Sequence, residues 1–181
     1  MSTSSALRIG LWGSGNMAAK HVESAVSDGR CSLVAIAARN QESAAALKEK
    51  HGAADCNIYS SPEEMLAETH IDALICAIPP GLQNGQVAEA AKKGIHLFLE
   101  KPVALNIDEV KRIAAASSAA QIKTQVCHHF RCDPAIIKLR EYMQSGKTGT
   151  LCQYQARFWM NGDMSSWWKD PELGGGQVIE Q

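Results

Sequence analysis

The sequence predicts a doubly wound α/β fold, a parallel sheet with helices on both faces, followed by the beginning of an α/β open-sheet second domain. Three observations predict it. Short apolar runs without polar alternation recur up to about Val126, each separated from the next by a stretch of helix-forming composition. A glycine-rich turn joins the first run to the first helix. Beyond Val126 the rhythm changes to one longer helix and a partly alternating run, which divides the chain into residues 1–126 and 127–181. Unalternating apolar runs are what strands covered on both faces show, and helices between them imply right-handed crossovers within one parallel sheet.

Taken in order, Leu7 to Trp12 is an apolar run ending at Gly13, and Met17 to Val26 has spaced apolar positions, so strand, tight turn and helix follow one another. Ser32 to Ala38 is a second strand, and Gln41 to His51 a helix stopped at Gly52, where a left-handed residue closes a helix. Ser61-Pro62-Glu63-Glu64 supplies an N-cap, a first-turn proline and two acids suited to the positive end of a helix dipole; a helix runs from there to about Glu68. Asp72 to Ile78 reads as a buried strand ending at Pro79-Pro80, Gln83 to Lys93 as a helix stopped by Gly94, and Ile95 to Leu99 as another strand. Asn106-Ile107-Asp108-Glu109 opens a helix to about Ser117, and Lys123 to Cys127 is the next strand. In the second region a helix is expected over Pro134 to Ser145, a turn over Gly146 to Gly149 and a strand from Leu151 to Trp159. That region has too few strands to close a core, and it reads as the front of a longer domain.

Composition narrows the function classes. A chain of 181 residues with 45% hydrophobic content buries one core of ordinary domain size. With a formal net charge of -1 and mixed charges, it offers no basic stripe for nucleic acid and no polybasic anchor for a membrane surface. No apolar run approaches the roughly 20 residues that span a bilayer, and Met1 to Ala6 lacks the apolar stretch of a signal peptide, so a cytoplasmic protein is expected. The six cysteines form no Cys-x-x-Cys pair and are expected to be reduced. Cys127-His128-His129 with Cys132 has zinc-binding residue types, but neighbours on an extended strand point to opposite faces, so no metal site is expected there.

The chemistry-bearing residues begin at the first turn. Gly13-Ser14-Gly15-Asn16-Met17-Ala18 matches G-x-G-x-x-A between a strand and a helix, the turn of a Rossmann-type dinucleotide-binding unit. Gly13 permits the tight turn, Gly15 lets a pyrophosphate approach the backbone, and Ala18 allows the helix to pack closely on the strand. The helix start then presents free N–H groups to the phosphates. The second strand ends in Ala37-Ala38-Arg39-Asn40, without the carboxylate that favours the free ribose 2'-hydroxyl of NAD. Arg39 is able to pair with a 2'-phosphate, so NADP is preferred over NAD; alternatively Arg39 is solvated and Asn40 holds the ribose of NAD. Glu100-Lys101-Pro102 falls at the carboxyl edge, where ligands of open α/β sheets bind. A lysine beside a cationic nicotinamide in a partly desolvated cleft releases its proton more easily and so exchanges one with a substrate hydroxyl, with Glu100 orienting it.

With these residues the chain resembles the Gfo/Idh/MocA family of NAD(P)-dependent oxidoreductases. The glycine turn, Ile78-Pro79-Pro80, the block from Gly94 to Pro102, His128 to Pro134 with Ser145 to Gly149, and Trp167 to Glu172 before Gly174-Gly175-Gly176 are similar to family segments in the family's order. The resemblance implies a Rossmann domain followed by a substrate domain, with Lys101 the proton-transfer residue in hydride exchange between a nicotinamide and a hydroxyl or keto carbon of a sugar, polyol or sugar nucleotide. It implies that Ile78, Pro79 and Pro80 line the nicotinamide pocket, that Arg131 and Trp168 sit near the substrate, and that the full-length form is a homo-oligomer. Ile78 replaces a common threonine, and Gln83 stands where a histidine is usual. Glu180 occupies the position of the catalytic aspartate, and the family's catalytic histidine would fall about four residues later, one turn on along a helix face. Two other readings remain open: a non-catalytic dinucleotide-binding regulatory module, and a reductase of the biliverdin-reductase or dihydrodipicolinate-reductase type.

Overall fold

A computed structural model of the protein describes residues 6–157 and 165–176. Six strands form one sheet: β1 (Leu7–Trp12), β2 (Cys31–Ala37), β3 (Asn57–Tyr59), β4 (Ala73–Cys76), β5 (His96–Glu100) and β6 (Thr124–Cys127). Between and after them come helices α1 (Asn16–Ser27), α2 (Gln41–Lys50), α3 (Pro62–Glu68), α4 (Gln86–Lys92), α5 (Ile107–Ala119), α6 (Pro134–Gln144) and α7 (Pro171–Gly174). Every neighbouring pair of strands is parallel, in the order β3-β2-β1-β4-β5-β6. The chain therefore works outward from β1 to β3, returns, and works outward again from β4 to β6. The crevice between β1 and β4, where the winding reverses, is where open sheets of this kind bind ligands.

The unalternating apolar runs are explained by burial on both faces. Ile9 and Leu11 of β1, Ile36 of β2 and Ile75 of β4 pack with Ala18 and Val22 of α1 and with Ala44 and Leu47 of α2. Their neighbours Trp12, Ala35, Ala37, Leu74 and Cys76 pack instead with Met65 of α3, Val87 of α4 and Ile113 of α5. Successive residues of a strand point to opposite faces, so a sheet sandwiched between two helix layers needs apolar residues at consecutive positions. Helix starts follow their capping residues. The side chains of Asn40, Ser61, Asn106 and Asp133 accept hydrogen bonds from the backbone N–H of Ser43, Glu64, Glu109 and Ala135 at the heads of α2, α3, α5 and α6.

Three expectations need correction. Strand β3 has no counterpart among the expected elements: three residues, Asn57–Tyr59, are too few to show a period, and pairing with β2 makes them a strand. The helix expected from Gln83 begins at Gln86, because a 3-10 turn over Pro80–Leu82 intervenes and Gly85, with φ +91°, precedes the first helical residue. The strand expected from Leu151 to Trp159 does not form over the described residues 151–157, all of which are exposed, with Tyr154 at 71%. A strand needs a partner for its ladder, and these residues pair with neither edge of the sheet; residues 158 and 159 lie outside the described residues. The opening of an open-sheet second domain is correspondingly represented, among the described residues beyond β6, by α6, α7 and 3-10 turns. No helix of the described residues is long and apolar enough to cross a membrane.

Candidate active site at the carboxyl edge of the sheet

The turn after β1 is built for close approach. Gly13 has φ +113°, and a Cβ there would collide with the Ala77 carbonyl oxygen, so both its backbone shape and the β4 loop beside it require glycine. Its N–H donates to the Ala37 carbonyl at 2.9 Å, which ties the turn to the end of β2. Gly15 caps α1 in an extended conformation, and nothing lies within 4 Å of where its Cβ would be. Unlike α2, α3, α5 and α6, helix α1 has no side chain capping its first N–H groups, and unlike α2, α3 and α5 it has no acid in its first turn. Ala18 is fully buried against the sheet. An open backbone surface with unclaimed amides and the positive end of a 12-residue helix fits an anionic pyrophosphate. Ser14, Asn16 and Met17 complete the turn, and the Ser14 hydroxyl shares a hydrogen bond of 2.5 Å with Ser43 at the head of α2.

At the end of β2, Arg39 is exposed. Asn40 is already engaged: its side-chain oxygen accepts from the Ser43 N–H at 3.0 Å, so the Asn40 side chain serves first as a helix cap. Of the two ribose arrangements open at this strand end, the one using Arg39 leaves that cap intact.

Across the switch point, β4 runs into half-buried Ile78 and Pro79 and buried Pro80. Two strands over from β1, roughly 10 Å away at the usual strand spacing, β5 ends at Glu100. The Glu100 side chain is buried, and one carboxylate oxygen meets His21 Nε2 of α1 at 2.5 Å while the other accepts the Lys101 backbone N–H at 3.2 Å. Burial by itself raises the Glu100 pKa, but hydrogen bonds from His21 and the Cys127 thiol, the His21 charge and the Lys101 N–H outweigh it and hold the group below its ordinary value. Glu100 is thus engaged by the backbone N–H of Lys101, whereas the sequence leads one to expect it to orient the Lys101 side chain. Lys101 is half-buried, with its ammonium 5.8 Å from the centre of the Trp168 ring, a cation–π distance.

Trp168 reaches this edge because 165–176 docks there. Helix α7 rests on the Pro80–Leu82 turn so closely that a Cβ at Gly81 would overlap the Glu172 carbonyl oxygen and come 2.7 Å from the Leu173 Cα. The structure therefore brings together the glycine turn, Ile78 to Pro80, Glu100, Lys101 and Trp168. Arg131 lies on the 3-10 turn His129–Cys132 beyond β6, exposed, and Glu180 lies outside the described residues. Three participants escape sequence reasoning: His21, Cys127 as a donor to Glu100, and Gly81. His21 sits one turn beyond buried Ala18 on the sheet-facing stripe of α1, and a histidine on such a stripe is the one signal that points to it.

Fold and turn together define a dinucleotide-binding Rossmann domain. Residues 7–128 match the family described as "Oxidoreductase family, NAD-binding Rossmann fold", GFO_IDH_MocA, and the chain belongs to it. Among solved structures it is similar to the WlbA dehydrogenase from Bordetella pertussis, in complex with NADH and UDP-GlcNAcA, at 30% identity and TM-score 0.74, over 82% of this chain and 42% of that one. Among curated relatives it is 26% identical over 179 residues to D-xylose 1-dehydrogenase (NADP(+)) 2 of Haloferax volcanii, covering 96% of this chain and 53% of the relative. It is 27% identical over 143 residues to myo-inositol 2-dehydrogenase of Thermotoga maritima, covering 79% and 42%. The chain spans about a third to a half of the length of the curated relatives it matches.

Proposed function

We propose that this chain is the cofactor-binding part of an NAD(P)-dependent dehydrogenase that oxidises a hydroxyl of a sugar, polyol or sugar nucleotide, with residues 127–181 opening its substrate and oligomerisation domain. The observation that carries the reading is the uncapped start of α1 at the sheet's switch point, on the same edge as Lys101. The amides of Ser14, Gly15, Asn16 and Met17 hold the pyrophosphate on the turn that Gly13 shapes, and Ile78, Pro79 and Pro80 form the apolar wall for the nicotinamide. The nicotinamide, when bound, supplies the hydride acceptor. Lys101 Nζ takes the hydroxyl proton as the carbinol carbon becomes a carbonyl, and returns it in the reverse direction. Trp168 screens the Lys101 amine from bulk water, Arg131 faces the substrate from beyond β6, and Glu180 supplies the acid in the position of the family's aspartate.

Arg39, exposed at the ribose end and without a neighbouring acid in the Ala37-Ala38-Arg39-Asn40 segment, favours NADP over NAD; the similar Haloferax enzyme is named for NADP(+), whereas the similar Bordetella structure holds NADH. Fluorescence titration with NADPH and NADH tests the site, and failure of both to bind at millimolar concentration would sink it. Arg39→Glu should reverse the preference by about tenfold or more, the scale of one charge-assisted pair. In turnover of a polyol and sugar panel, Lys101→Ala is expected to lose about 10²- to 10⁴-fold with dinucleotide affinity unchanged; equal rates would remove Lys101 from the mechanism.

A further inference from the structure

The Glu100 carboxylate, 8% exposed, gathers three donors from three separate places in the chain: His21 Nε2 on α1, the Cys127 thiol on β6 and the backbone N–H of Lys101. Cys127 is the residue directly paired with Glu100 in the β5–β6 ladder. The His21 ring also stands edge-on to Phe98 of β5, centroids 5.0 Å apart at 70°, which fixes the direction of its Nε2. His21 lies six residues beyond Gly15, so it is about 9 Å along the axis from the helix start that faces the pyrophosphate. One short contact therefore spans β4 and joins the helix that receives the cofactor to the strand end that carries the lysine.

The same three side chains offer nitrogen, oxygen and sulfur within 4.8 Å of one another, a donor set of zinc type. Hydrogen bonding accounts for them better. His21 and Glu100 are already in direct contact at 2.5 Å. The thiol is held in its protonated form, its pKa pushed up to about 11 by burial and then by the charge of Glu100.

We infer that His21 is a positioning residue: through Glu100 it fixes the Glu100–Lys101 peptide, and so makes the seating of α1 on a pyrophosphate and the aim of the Lys101 amine one mechanical unit. Successive residues of an extended chain point to opposite sides, so a Glu100 side chain locked towards α1 turns Lys101 the other way. The inference rests on the proposal that Lys101 exchanges the substrate proton.

The test uses His21→Leu, which removes the donor and keeps bulk, and His21→Gln, which keeps a side-chain N–H. Three quantities are read: NADPH affinity by fluorescence, hydrogen–deuterium exchange of the Lys101 amide, and turnover of the polyol and sugar panel. His21→Leu should leave affinity within about threefold while lowering turnover roughly 10- to 100-fold, the scale of a misplaced catalytic group. Exchange at Lys101 should quicken about tenfold as the local opening becomes easier, and His21→Gln should recover most of both losses. In a Lys101→Ala background the added effect of His21→Leu on turnover should shrink to about twofold or less, because both changes act on one step. Independent, multiplying effects, or unaltered Lys101 exchange in a folded His21→Leu protein, would overturn the inference. Should His21→Leu not fold, Cys127→Ala loosens the same carboxylate from the other side, and unaltered Lys101 exchange there would overturn it equally. If Lys101→Ala itself leaves turnover untouched, the proton-transfer reading fails, while the exchange measurement still decides the His21 link.

Discussion

Helices α1 and α6 are nearly the same length, 12 and 11 residues, and both carry apolar residues at helical spacing, yet they end in opposite situations. Helix α1 buries Ala18 and Val22 against the sheet, packing on β1, β2 and β4. Helix α6 buries none of its residues: Ile136, Leu139 and Tyr142 are 45%, 46% and 51% exposed. Local pattern is sufficient to write an apolar stripe into a helix, but the stripe contributes stability only where another surface removes it from water. The two helices also differ at their heads. Helix α6 is capped by the Asp133 side chain, whereas α1 leaves its first amides unclaimed, at the switch point of the sheet. Packing on one flank and an unfilled end are what make α1 suited to hold a ligand.

Substitutions sharpen this contrast. The largest effect is expected where the two faces of the sheet are closed: Leu74→Ala, at a fully buried position of β4, should cost about 2–5 kcal/mol in denaturant unfolding. A cost under about 1 kcal/mol, below the range for such a deletion, would mean that the α3, α4 and α5 layer does not pack as described. Next comes the link between α1 and β5. The Glu100 pKa is below the ordinary 4.5 in the folded state, so as pH falls the unfolded chain takes up the proton first. The stabilisation from Glu100 is then present above its unfolded value and lost as pH drops through the folded one. Glu100→Gln should lower stability at neutral pH by about 1–3 kcal/mol, the cost of a weakened buried hydrogen-bond set. It should also flatten the loss of stability that the lowered Glu100 pKa leads one to expect of the unchanged protein below pH 4.5; an equally steep acid limb in both proteins would contradict the assignment. The smallest effect belongs to α6: Leu139→Ala should stay within about 0.5 kcal/mol, as surface changes do, and a loss approaching that of Leu74→Ala would show that its apolar stripe is covered in solution.

Much of the site can be read along the chain because its parts are local. Gly13 to Ala18 declares a turn followed by a helix within six residues, and its geometry is dictated by sterics over that same span. Arg39, Ile78 to Pro80 and Glu100-Lys101 are placed by a rule about strand ends, which holds once the strands are known. His21 is not legible in that way, since its partner Glu100 is 79 positions further on. Nor is the need for glycine at position 81, which is set by the carbonyl of Glu172 passing over it. The strand expected from Leu151 onward fails over the described residues 151–157 for a related reason: a β-like pattern is a statement about one chain segment, and a strand is a relation between two.

The succession of the longer apolar runs and helices, the caps at Asn40, Ser61, Asn106 and Asp133, and the glycine turn after β1 follow from interactions among residues a few positions apart, whose energies depend on little else. Which helix face is buried, which run becomes a strand, how Trp168 comes to lie over Lys101, and how His21 meets Glu100 were settled only by folding. Those contacts join segments that share no local signal, and they exist because the parallel sheet delivers the ends of its strands to one edge.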